Sequence, residues 1–238
     1  MFLYNPTYLL FMAPAFVLML ITSFYVKSAY RKWSQVGARS GLTGVQAAQR
    51  LIQAGGLYGV QVQPVAGNLT DNYDPRTKVL HLSQGVAQVP SVASLAVAAH
   101  ELGHAQQDAE GYFPLRFRSA LVPMVNIGSY LGWILIMVGL FLSYLGSALG
   151  VNIAWLGVMV FAGGAVFALA TLPVELNASA RARRLLSETG IIFGPEEERG
   201  VRTVLNAAAL TYVAALVTAM LQLLYYVTLV GGIGRRRQ

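Results

Sequence analysis

Two of the three histidines in this chain stand four residues apart, in His100-Glu101-Leu102-Gly103-His104. On a helix, positions i and i+4 share a face, so both imidazoles can reach one metal ion. Glu101 then sits beside that metal, where it can take a proton from a water. The chemistry on offer is metal-assisted hydrolysis of the zinc-protease kind, on two conditions. The segment must be helical, and a third ligand must come from elsewhere. Residues 91–100 (SVASLAVAAH) meet the first condition, with strong helix formers and a serine after Pro90 to cap the start. The competing reading is an amphipathic helix whose two histidines never meet a metal.

Acidic residues are few enough to search one by one for the third ligand. After Glu110 the next is Glu175, and then Glu188. Glu175 follows directly on an apolar stretch, where an ionisable side chain needs solvent, a partner or a metal. Projected from a second helix, it would complete a His2Glu set and leave a fourth position open for water. The alternative for Glu175 is a solvated glutamate paired with Arg181 or its neighbours. Glu110 occupies the metzincin position, six residues past His104. The glycine that this geometry needs three residues after the second histidine is replaced by Gln107. Asp108 continues the histidine face one turn further on, too far along to converge on the same ion. Glu175 is the favoured ligand.

These residues must be positioned within a very apolar chain. It has 238 residues, 11% of them charged, and a mean hydropathy of +0.55, more apolar than an ordinary soluble enzyme. Four apolar runs, at about 8–26, 120–145, 151–172 and 207–230, approach or exceed the roughly 20 residues needed to cross a bilayer. The first has no positive charge before it and is long for a signal core, so it reads as a retained anchor. Lys27, Arg31 and Lys32 follow that run, Arg116 and Arg118 precede the second, and Arg181, Arg183 and Arg184 follow the third. The uncharged connection 146–152 is then external, and the segments beside the basic clusters are cytoplasmic. Arg235, Arg236 and Arg237 conflict with four crossings, and a final segment that re-enters without crossing is the alternative. The net charge of +7 is accounted for by membrane orientation. No basic stripe interleaved with aromatics marks a nucleic-acid partner. With no cysteine, disulfides and cysteine zinc ligands are excluded.

Between the first two runs lies the one sizeable polar region. Residues 43–56 read as a helix capped by Thr43 and ended by Gly55-Gly56. Residues 58–65 and 77–83 read as strands that pair as an antiparallel ribbon beside the motif helix. Asp71-Asn72-Tyr73-Asp74-Pro75-Arg76 reads as the turn between them. Peptidases commonly pair an extended substrate with an exposed strand edge. The segment from Lys78 through Val79, Leu80 and His81 to Ser83 is the expected edge. His81, Tyr73 and Arg181 are candidates for stabilising an oxyanion.

Three blocks carry a resemblance: residues 71–83 (DNYDPRTKVLHLS), 98–108 (AAHELGHAQQD) and 172–179 (LPVELNAS). With the first apolar run, they resemble the YugP-type bacterial membrane zinc metallopeptidases along essentially the whole chain. The resemblance implies a neutral zinc peptidase of the gluzincin kind, distantly similar to the HtpX and CAAX-prenyl proteases. It implies Zn2+ held by His100, His104 and Glu175, with Glu101 as general base. Those distant relatives place an aspartate four residues after the ligand glutamate, where this chain has Ser179. An orienting role would pass to Asn177 or Ser179, with Arg181 nearby.

The expected fold class is a mainly α multi-pass membrane protein, with about four transmembrane helices and a small α+β zincin-like cytoplasmic domain. The expected organisation is an anchor at 1–26, the zincin-like domain at 27–118, a transmembrane hairpin at 119–173, a cytoplasmic helix with the third ligand at 174–204, and a fourth membrane segment with basic tail at 205–238. The expected activity is endopeptidase cleavage near the cytoplasmic face of a bacterial cell membrane. Its substrates would be polypeptides, membrane proteins or their juxtamembrane segments. The strongest competing class is a membrane scaffold with a structural or vestigial zinc site. An intramembrane protease is disfavoured because the apolar run before His100 is too short to cross, and a transporter because no charge sits mid-span.

Overall fold

The computed structural model describes residues 6–235. Its helices are α1 (Pro6–Ser34), α2 (Gly44–Ala54), α3 (Gln84–Gln88), α4 (Val92–Ala109), α5 (Phe113–Tyr144), α6 (Leu149–Glu188) and α7 (Gly194–Arg235). Three short strands, β1 (Gln61–Val65), β2 (Asn72–Asp74) and β3 (Val79–Ser83), form one mixed sheet. Helices α1, α5, α6 and α7 are each long and apolar enough to cross a membrane. Helix α7 is unbroken from Gly194 to Arg235 and lacks the turn a re-entrant segment needs, while Arg236 and Arg237 lie outside the described residues.

The chain divides into two compact units. The first takes residues up to 21, 117–172 and from 212 onward, the apolar parts of the four long helices. Its core includes Ile136, Ala154, Val158, Tyr225, Tyr226 and Val230. Helices α5 and α6 approach closely within it because glycines face backbone. A Cβ on Gly132, Gly139, Gly150 or Gly157 would collide with main-chain atoms of the opposite helix. Small residues at such crossings let membrane helices gain packing energy where lipid offers no hydrophobic drive.

The second unit combines residues 22–116 with 173–211, so the polar region and the segment bearing Glu175 share one core. That core packs Leu51 of α2, Leu80 and Leu82 of β3 and Leu95 and Leu102 of α4 with Leu186 of α6 and Leu205 of α7. Helix α2 begins as expected at Thr43, whose hydroxyl accepts from the Gln46 N–H while the Gln46 side chain accepts from the Thr43 N–H. Such a reciprocal box satisfies two backbone donors that the helix leaves open. Thr43→Ala is expected to destabilise this unit by about 1 kcal/mol, read as a lower denaturation midpoint in detergent.

The strand pairing departs from expectation. β1 runs parallel to β3, with Gln61 opposite Val79 and Val65 opposite Ser83, and not as an antiparallel ribbon. The Asp74-Pro75 turn instead closes a hairpin of β2 with β3, which places Asn72 opposite His81. Asp74 builds the turn by accepting from the Arg76 N–H at 2.9 Å and from the Thr77 hydroxyl at 2.9 Å. Three residues dominated by turn formers carry almost no strand signal, so β2 is invisible to periodicity. β3 is consequently the central strand, paired on both sides and buried on both faces. The segment Lys78-Val79-Leu80-His81 therefore offers no open edge, and β2 and β1 are the edges of the sheet.

Candidate metal centre

Helix α4 is capped at Ser91, whose hydroxyl accepts from the Ser94 N–H, and it runs unbroken through the histidine motif. Helix α6 crosses it so closely that Gly103 meets the backbone of Ala178. That approach brings Glu175 onto the histidine pair. Nε2 of His100 lies 3.2 Å and Nε2 of His104 3.4 Å from Oε2 of Glu175. Ligand atoms of all three residues fall within 4.8 Å of one another. Among the described residues this is the one such group. Glu175 is only 2% exposed, so it is not a solvated boundary glutamate.

The donor set fits zinc. Two imidazole nitrogens and one carboxylate oxygen converge, the set of an open catalytic site rather than a closed four-ligand one. Each ring has its other nitrogen occupied. Nδ1 of His100 is 3.2 Å from the Ser179 hydroxyl, and Nδ1 of His104 is 3.1 Å from Oε1 of Gln107. Such outer partners hold the rings of ligating histidines in place. Ser179 thus stands against the first histidine.

Glu101 projects beside the group and points at β2. Its carboxylate accepts from the backbone N–H of Tyr73 at 3.1 Å. Burial pushes the Glu101 carboxyl above the usual carboxylate range, against the opposing pull of the two imidazoles. For His104, burial alone would lower the pKa, but Glu175 and Glu101 outweigh it and the net shift is upward. The Tyr73 hydroxyl donates to Asp108 at 2.8 Å, and Lys78 pairs with the same carboxylate. Burial, and after it the hydrogen bond to Asp108, pushes the Tyr73 phenol upward. Helix α4 therefore holds edge strand β2 at two points, one turn either side of His104.

The remaining candidates are placed as follows. Asp108 is engaged by Tyr73 and Lys78, and Glu110 takes both ends of the Arg181 guanidinium at 2.6 and 2.7 Å. Neither joins the ligand group. Arg181 also donates from Nε to Asn177 at 2.7 Å, so its donors are committed away from an oxyanion. His81 lies on the central strand, with Nδ1 buried and without a hydrogen-bond partner. Two residues escaped the sequence reading. Gln107 drew notice only for not being glycine. Gly103 carried a readable signal, because glycine inside a helix of strong formers costs about 1 kcal/mol and usually has a packing reason.

Comparison with known proteins gives a family whose description names zinc. A family model described as "Putative neutral zinc metallopeptidase" matches residues 8–231. A relative from Bacillus subtilis (strain 168), named "Putative membrane protease YugP", is 44% identical over 204 residues. That match covers 86% of this chain and 88% of the relative. No solved structure matches the chain.

Proposed function

The chain belongs to the neutral zinc metallopeptidase family described above and is a membrane protein; from that premise we propose that it is a zinc-dependent endopeptidase acting on polypeptides beside the membrane. The observation that carries the reading is the convergence of His100, His104 and Glu175 with Glu101 alongside on the same helix. Zinc, when bound, supplies the Lewis acidity that makes water nucleophilic at neutral pH and polarises the scissile carbonyl. Glu101 would take a proton from the attacking water at its carboxylate and hand it to the leaving amine.

The substrate segment enters extended. β2 is the edge strand facing Glu101, and a substrate pairing there would displace the bond from the Tyr73 N–H to that carboxylate. Main-chain pairing along such an edge tolerates varied side chains. The basic clusters after the first and third apolar runs support a site on the cytoplasmic side. Glu175 follows within a few residues of the third run, which supports membrane-protein tails and juxtamembrane segments as substrates. A scaffold with a closed structural zinc would need a fourth protein ligand, and none joins the group among the described residues.

The test is the zinc content of detergent-purified protein beside the Glu175→Gln variant. The expected result is near one zinc per chain, clearly reduced in the variant, with cleavage of an unstructured reporter polypeptide abolished by chelator and restored by zinc. Wild-type protein that takes no zinc after reloading would sink the proposal.

A further inference from the structure

Resting on the zinc reading above, we propose that Gln107 is a positioning residue that sets His104 in its metal-binding tautomer and ties that ligand to a polar bridge between α4 and α6. Gln107 is completely buried, and burying an amide is costly unless its polar atoms are bonded. All of them are. Nε2 donates to the Val174 carbonyl at 2.8 Å and to Oδ1 of Asn177 at 2.9 Å. Those two acceptors take both amide hydrogens and orient the group, which turns the carbonyl oxygen toward Nδ1 of His104. A carbonyl oxygen only accepts, so Nδ1 of His104 must carry the proton. Its Nε2 can share a proton with the Glu175 carboxylate, and a metal that displaces that proton meets the Nε2 lone pair.

The other histidine has no such selector. Ser179 can donate to His100 or accept from it, so its hydroxyl leaves the proton's position open. The bridge continues outward from Gln107. Oδ1 of Asn177 also accepts from Nε of Arg181, whose two terminal nitrogens clasp the exposed carboxylate of Glu110. Residues 104 and 107 of α4 and 110 at its C-cap thus alternate with 174, 177 and 181 of α6, from a buried ligand to a surface ion pair. The notion that Asn177 orients a ligand directly is refined accordingly: it acts through Gln107.

The experiment uses the full-length protein in detergent with 15N-labelled histidine. It compares wild type, Gln107→Met, which keeps length without hydrogen bonds, and Gln107→Glu, which keeps only the acceptor. In metal-free samples wild-type His104 should show a hydrogen-bonded Nδ1–H, with or without a second proton that Nε2 shares with Glu175. Gln107→Met should lose that signature at His104 while His100 is unchanged, and Gln107→Glu should recover it. Zinc affinity by chelator competition should fall about 10–100-fold in Gln107→Met. Retention of wild-type affinity and tautomer in Gln107→Met overturns the proposal. Equal disturbance of both histidines also overturns it, since that marks general loosening. Failure of wild type to bind zinc would strike the metal reading instead, and the metal-free tautomer would still test Gln107.

Discussion

Glu101→Gln is expected to keep zinc at wild-type stoichiometry and to lower peptide hydrolysis by about 10²–10⁴-fold, the usual contribution of a positioned general base. The two effects separate because Glu101 lies outside the ligand group. Its hydrogen bond from the Tyr73 N–H needs only an acceptor, and the amide oxygen of glutamine supplies one. Fold and metal should survive while the proton acceptor is lost. Turnover of the chelator-sensitive cleavage, with zinc measured on the same sample, checks this. Wild-type turnover in the variant would remove Glu101 from the reaction.

Gly103→Ala should be strongly damaging to the unit that bears the site. A Cβ there falls well inside contact distance of the Ala178 carbonyl oxygen and 3.0 Å from its carbon. Backbone cannot swing aside as a side chain can, so α6 must shift, and Glu175 lies one turn before Ala178 on that helix. Alanine's better helix propensity returns about 1 kcal/mol. Overpacking typically costs about 1–3 kcal/mol and more where backbone must move. The expected outcome is lower thermal stability together with loss of zinc. Gly163→Ala is the matched control, because a Cβ on that helical glycine meets nothing within 4 Å. If Gly103→Ala behaves like Gly163→Ala, the close crossing does not position the site.

The spacing of His100 and His104, the capped helix that carries them and the scarcity of acids before Glu175 made the centre of the site readable without coordinates. Each of those signals is local or a matter of elimination. The misreadings are tertiary in origin. β2 has three residues and owes its conformation to contacts from α4, through Glu101 to Tyr73 and through Asp108 to the same residue. Without β2, two strands and an intervening turn read naturally as a ribbon, and the true centre strand was mistaken for an edge. Gln107 is silent for a related reason. A glutamine near the end of a helix looks solvated until a second helix, distant in sequence, supplies Val174 and Asn177 to bond it.

Because the site-bearing unit is assembled from residues 22–116 and 173–211, synthesis imposes an order on it. A growing chain that has reached residue 116 already holds both histidines and Glu101, yet lacks Glu175, the partners of Gln107 and the part of the core contributed by α6 and α7. The apolar stretch 117–172 has to be made before the third ligand leaves the ribosome. Half-built chains stalled ahead of that step carry a histidine pair with no carboxylate to close around an ion. Chain order alone therefore keeps the ligand group incomplete until the apolar stretch between its two parts has been made.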